Sequence, residues 1–161
     1  MPTKTIISGL VIFLHDLFTA AWIGGLITLG LTVLPSIKKV LGKTPETKKV
    51  MAVIQKRHSV FVYVSIIGLM LTGLLQANRN TAFLGLLSFG NTYSAVLAAK
   101  HILVLAMIFI ALYRSLALAK GFSPTQEKLK AILLFLNIVF GVGILLLSGF
   151  TAALSSSIPT I

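Results

Sequence analysis

The chain has 161 residues, 57% of them apolar and 11% charged, with a net charge of +11 and no cysteine. At a mean hydropathy of +1.01 it lacks the polar surface of a water-soluble domain, so lipid is its natural solvent. The missing cysteines exclude disulfides, thiolate metal sites, iron–sulfur clusters and covalent c-type haem, and they leave the redox compartment open.

Four apolar segments follow one another. Residues 6–34 form the first; it is too long for a signal-peptide core and has no small-residue cleavage site near its end, so it is expected to persist as a transmembrane helix. Pro35 and the run Lys38, Lys39, Lys43, Lys48 and Lys49 are expected to end it. Residues 59–77 form the second, closed by Asn78-Arg79-Asn80. The partly apolar stretch 83–89 is too short to span, and reads either as interfacial or as folded over the bundle mouth. Residues 92–119 form the third, ended by Lys120-Gly121 and Pro124, and residues 131–155 the fourth, ended by serines and Pro159. The expectation is a single all-α domain over residues 1–161: an integral membrane four-helix bundle, multi-pass in the plasma membrane.

Charge orients the spans. The first connection carries seven basic residues, the last two of them Lys56 and Arg57, and the third carries Arg114, Lys120, Lys128 and Lys130. The opposite side holds only Lys4 and Arg79, so the positive-inside rule puts both termini outside. Topology and attraction to anionic lipid account for the basic excess, and no nucleic-acid partner is expected.

Two dipeptides inside the spans, His15-Asp16 and Lys100-His101, carry the chemistry. The first and third helices run the same way, and each histidine lies nine residues into its segment. At ~1.5 Å rise per residue both sit ~14 Å below the outer boundary. For two facing parallel helices, ~100° of rotation per residue matches His15 with His101 and Asp16 with Lys100. Asp16–Lys100 reads as a buried ion pair that fixes register, or as a proton-relay or substrate-binding element. His15 and His101 read as shared ligands to haem iron or copper, or as imidazoles hydrogen-bonded across the bundle. Phe18 and Trp22 share the face of His15, and nearby Gly24, Gly25, Ala95 and Ala98 leave room for a flat cofactor or for close helix packing.

His58 opens the second segment on the inner side, ~15 Å from the His15 layer, so it cannot join the same ion. It is either interfacial or a ligand to a second, inner cofactor, with Arg57 or Arg114 neutralising haem propionates. Met70 and Met107 are mid-span candidates for Cu(I) or core filler. No Ser-His-Asp order, paired catalytic carboxylate or phosphate loop points to hydrolysis.

These landmarks resemble the CopD-like copper-resistance membrane domain. His15-x6-Trp22-Ile23-Gly24-Gly25 is similar to that family's opening helix. Arg57-His58-Ser59 leading to Ser65 and Leu71-Thr72-Gly73 resembles its second helix, and Phe89-Gly90-Asn91-Thr92-Tyr93 into Leu97-x2-Lys100 its third. The stretch 129–148 is loosely similar to its fourth. His15, Trp22 and Lys100 also resemble HemJ-type protoporphyrinogen oxidases, four-helix haem b proteins, although Leu34-Pro35-Ser36-Ile37 departs from that pattern. The CopD resemblance implies copper uptake or handling; some relatives of the architecture bind haem b.

Three functions are expected in turn. The first is a b-type cytochrome-like protein with haem b between helices one and three, exchanging electrons with a redox partner or quinone. The second is a copper-handling membrane protein, and the third a structural subunit of a larger complex. If the chain is an enzyme, it is a membrane oxidoreductase. Small-residue spacings permit homo-oligomers.

Overall fold

The computed structural model describes residues 2–77, 83–116 and 124–156. All regular structure among them is helical: α1 (Thr3–Leu41), α2 (Pro45–Ala77), α3 (Thr92–Leu116) and α4 (Pro124–Ser156). All four are long and apolar enough to cross a bilayer, the build of a multi-pass membrane protein. The chain forms two compact units, Met1–Gln76 and Ala77–Ile161. Each is built on one pair of helices.

The expected spans are present, but the helices outrun them on the basic side. α1 passes through Pro35 to Leu41, so the proline does not end it. The reason lies just upstream. Thr28–Val33 is wound as a π-helix, whose wider turn relieves the clash of a proline ring with the preceding carbonyls. α2 begins at Pro45 rather than at 59, and α4 at Pro124 rather than at 131. Hydropathy marks where lipid ends, whereas a helix continues into water wherever its residues tolerate it. Lys48, Lys49, Lys56 and Arg57 therefore ride on the exposed first turns of α2 rather than in a loop. The expected stops at Asn78-Arg79-Asn80, at Lys120-Gly121 and beyond Ser156 lie outside the described residues, as does the end of the third span at 119.

Only Gly42, Lys43 and Thr44 separate α1 from α2. Gly42 adopts φ 66°, ψ −159°, a backbone region that glycine alone enters without strain. Thr44 then caps α2: its hydroxyl accepts from Thr47 N at 3.2 Å, ahead of Pro45 at the first helical position. A connection this short folds α2 back antiparallel to α1. In the second unit Asn91 caps α3, its Oδ1 accepting from Ser94 N at 2.7 Å. Ser94 Oγ in turn accepts from Leu84 N at 3.1 Å, which ties the non-helical stretch to the start of α3. Leu84, Leu86, Leu87 and Phe89 in that stretch are exposed.

Packing in the first unit depends on missing side chains. A Cβ on Gly68 would come within 2.3 Å of the Phe18 ring, and one on Gly25 within 2.7 Å of His58 Nε2. The two helices thus approach closely enough that aromatic rings of one lie on glycine backbone of the other, the usual device where lipid offers no hydrophobic drive for association. In the second unit Gly143 of α4 faces Leu103 of α3 in the same way, a Cβ there meeting Leu103 Cδ1 at 3.3 Å.

Candidate functional site

His15 lies in the interior of the first unit, half-buried, with Gly73 of α2 beside its ring. Its Nδ1 and Thr72 Oγ1 are 2.9 Å apart. The Thr72 hydroxyl proton is already committed to Gly68 O at 2.7 Å, so Nδ1–H of His15 is the donor. In the neutral ring the lone pair then sits on Nε2. Phe18 follows one turn on, laid against Gly68, and Trp22 one turn further, 1% exposed. A second π-helical stretch, Ala20–Gly24, turns both Trp22 and Ile23 inward. The Trp22 indole Nε1–H is buried and has no acceptor among the described residues.

α2 answers this face with a polar stripe. His58, Ser65 and Thr72 recur every seven residues, a spacing that keeps them on one side of a helix, and Gln76 continues the row. Ser65 and Thr72 are buried, and Gln76 Nε2 is buried without a partner among the described residues. From His58 to Gln76 the stripe runs ~27 Å, close to the ~30 Å of bilayer hydrocarbon.

His58 differs from expectation in position. It is the fourteenth residue of α2, not the first, and its ring lies against Gly25 inside the helix pair, while Lys56 and Arg57 beside it are exposed. The ~100° step from Arg57 carries the ring from the exposed side of α2 to the side that faces α1. It lies fourteen residues along α2 from Thr72, ~21 Å, so His15 and His58 occupy separate levels as expected.

In the second unit His101 is half-buried on α3, and its Nδ1 lies 2.7 Å from Leu97 O. A carbonyl only accepts, so Nδ1 again carries the proton and Nε2 the lone pair. Lys100 beside it is half-buried. Asp16 is not: it is exposed on α1, because the step from His15 turns it away from α2, so the expected burial of this carboxylate does not hold within its unit. Arg114 is half-buried thirteen residues beyond His101, and its Nε has no partner among the described residues. Met70 is 60% exposed, whereas Met107 is fully buried.

Among the described residues no group of three or more His, Asp or Glu is placed to hold a metal ion. No family model, characterised protein or solved structure matches the chain. Its function therefore has to be argued from its own side chains.

Two features were not singled out from sequence. Thr72 figured in the sequence only within Leu71-Thr72-Gly73, not as a partner of His15. Asn137 of α4 is 1% exposed, and neither its amide nitrogen nor its oxygen has a partner among the described residues. Its signal was plain enough: it is the one polar side chain in the apolar run 131–147 of α4.

Proposed function

We propose that the protein is a membrane b-type cytochrome-like electron carrier in which His15 and His101 supply imidazole ligands to haem b. One observation carries the reading. Both rings hold Nδ1–H on an oxygen acceptor, Thr72 Oγ1 for His15 and Leu97 O for His101. That hydrogen bond fixes the tautomer whose Nε2 donates to a metal, and it is the outer support that ligating histidines commonly have. The residues fit this group better than they fit a bare ion. A porphyrin brings four equatorial nitrogens of its own and asks the protein for one or two imidazoles, whereas copper held by protein alone wants a cluster. When bound, the haem supplies reversible one-electron chemistry.

The chain's own residues then orient and exclude. Thr72 aims the His15 ring, Phe18 and Trp22 keep water from it, and the hydropathy register sets His101 at the depth of His15. Both termini face outside, the membrane is the plasma membrane, and the electron partner is a protein or a quinone. His58, with Arg114, is the candidate for a second, inner cofactor. Copper handling, which the CopD-like resemblance implies, is the second reading, with Met107 rather than the exposed Met70 as its thioether.

An absorption spectrum of the purified full chain tests this. A Soret band with sharp α and β bands on reduction is expected, lost in His15→Ala and in His101→Ala and retained in His58→Ala. Copper without a Soret band supports the second reading. Neither group after mild purification sinks both, and leaves a structural subunit.

A further inference from the structure

A buried N–H group is almost always paired, and each exception calls for an explanation. Trp22 is 1% exposed, and its indole Nε1–H has no acceptor among the described residues. The ring belongs to the interior of the first helix pair. His15, Phe18 and Gly25 each touch α2, at Thr72, Gly68 and His58, and position 22 falls within the arc of α1 that these three span. The same contacts fix its level. Phe18 lies opposite Gly68 and Gly25 opposite His58, so Trp22 lies opposite the stretch between them, where α2 buries Ser65. Water reaches the lower end of that stretch. Lys56 and Arg57 are exposed, and two adjacent exposed cations mark the edge of the hydrocarbon. His58 comes next, with its ring inside the pair, and Ser65 lies seven residues, ~10 Å, further in. Above Ser65, Phe18 pressed on Gly68 separates this level from His15 and Thr72.

We propose that the inner half of the first helix pair binds water between Trp22 Nε1–H and the Ser65 hydroxyl, and that His58 lines its path to the basic side of the membrane. An indole N–H only donates, so its partner must be an atom that accepts. A buried water needs two to four polar partners, and Trp22 and Ser65 supply two of them from facing helices. Ser65 is also small, which leaves room beside the indole. The hydroxyl both donates and accepts, so it holds the water without fixing which way the water's own hydrogens point. Protons from the basic side then reach the level of Trp22 past His58, and go no further than Phe18. The proposal rests on the membrane reading of the chain and not on haem at His15, and it takes the His58 ring for the path rather than for an inner cofactor.

Because Trp22 is the single tryptophan, its indole N–H gives one self-assigned magnetic resonance signal in the isotope-labelled full chain. The chain is measured in lipid nanodiscs after reduction, which keeps any low-spin haem diamagnetic. A cross-peak between the indole proton and water is expected. On transfer to heavy water the signal should decay at least about tenfold faster than the slowest backbone amides of α2. Ser65→Ala should shift the signal and slow this decay roughly two- to tenfold, the weight of one hydrogen bond, and Ser65→Thr should restore it. Thr72→Val, beyond the Phe18 seal, should leave both unchanged. If Ser65→Ala loses helix content, His58→Phe takes its place, because a ring without nitrogens should slow the decay by closing the path. An indole proton that shows no contact with water and exchanges only as the whole chain unfolds overturns the proposal. So does a shift in Ser65→Ala without any water cross-peak in the parent chain, which would mean a direct bond from Trp22 to Ser65. A response to Thr72→Val as large as that to Ser65→Ala overturns it too.

Discussion

Replacing Gly68 with alanine tests the packing that positions His15. The new Cβ would lie 2.3, 2.4 and 2.6 Å from three atoms of the Phe18 ring. A rigid ring cannot fold aside as a flexible chain end can. It must move by about 1.1 Å to reach an ordinary 3.4 Å contact, or the helices must separate by as much. Overpacking of this kind costs about 1–3 kcal/mol. Alanine also gains about 1 kcal/mol over glycine in helix propensity, which blurs the result if Gly68→Ala is read alone. Gly73→Ala removes that ambiguity, because it is also in α2 and its Cβ would meet His15 Cε1 at 3.6 Å, ordinary contact. The propensity gain is common to both and cancels in the comparison. Gly68→Ala should therefore be less stable than Gly73→Ala by about 1–3 kcal/mol. Unfolding in mixed micelles titrated with sodium dodecyl sulfate, followed through the emission of buried Trp22, measures the difference. Equal stabilities, or the reverse order, would refute the close approach of Phe18 to α2. Phe18 is one turn from His15, so Gly68→Ala should also loosen the His15–Thr72 bond, and on the haem reading it should lower haem occupancy where Gly73→Ala does not.

Thr72→Val keeps the shape of the side chain and removes the acceptor for His15 Nδ1, with a loss of about 1 kcal/mol of stability. On the haem reading, haem retention should fall about 10–100-fold in a Soret-monitored transfer to apomyoglobin, and Thr72→Ser should restore it. Unchanged retention in the valine variant would remove Thr72 from the site. Asn137→Leu should raise stability by about 1–3 kcal/mol in the same micelle titration, since it deletes a buried amide whose hydrogen-bonding atoms have no partner among the described residues. A loss of stability would show that the amide is satisfied in the folded protein.

The four spans were legible because each needs ~20 apolar residues and nothing else in the chain supplies them. The register of the first helix pair was not, and the reason is specific. Reading Pro35 and the lysines as a long connection hides the point at which the chain folds back. Once α1 is carried to Leu41, the turn centres on Lys43, and residues equally far from it face one another. His15 lies 28 residues before Lys43 and Thr72 29 after it, while Phe18 and Gly68 are each 25 away. Gly25 and His58 are 18 and 15 away, a local slip beside the π-helical stretch Thr28–Val33 that lies between Gly25 and the turn. The Thr72 partner of His15 could thus have been counted out, had the lysines been read as the exposed side of a helix. The match of Asp16 with Lys100 is of another kind, because it joins the two units: a pairing argument fixes which residues match if two helices meet, but it does not establish that they meet.

The proposed preference for a porphyrin over a bare copper ion rests on what surrounds the histidines rather than on their number. Copper handled by transport must be bound and released, which favours exchangeable clusters of soft or mixed ligands. Here the soft candidates fall away: there is no cysteine, Met70 faces outward, and Met107 lies six residues, ~9 Å, along α3 from His101. What remains at each histidine is a ring with its tautomer already set by an oxygen acceptor, packed in helix rather than loop. Such rings lose little freedom when they ligate, and a fixed ligand suits a resident group that changes charge without leaving. Holding the ring takes a buried threonine whose own hydroxyl is bonded back to Gly68 O, and the bond from His15 both steadies the helix pair by about 1 kcal/mol and fixes the direction of the ring. Valine at 72 would pack as well. The threonine matters if His15 has to present one particular nitrogen in one particular direction, and the spectrum of Thr72→Val decides whether it does.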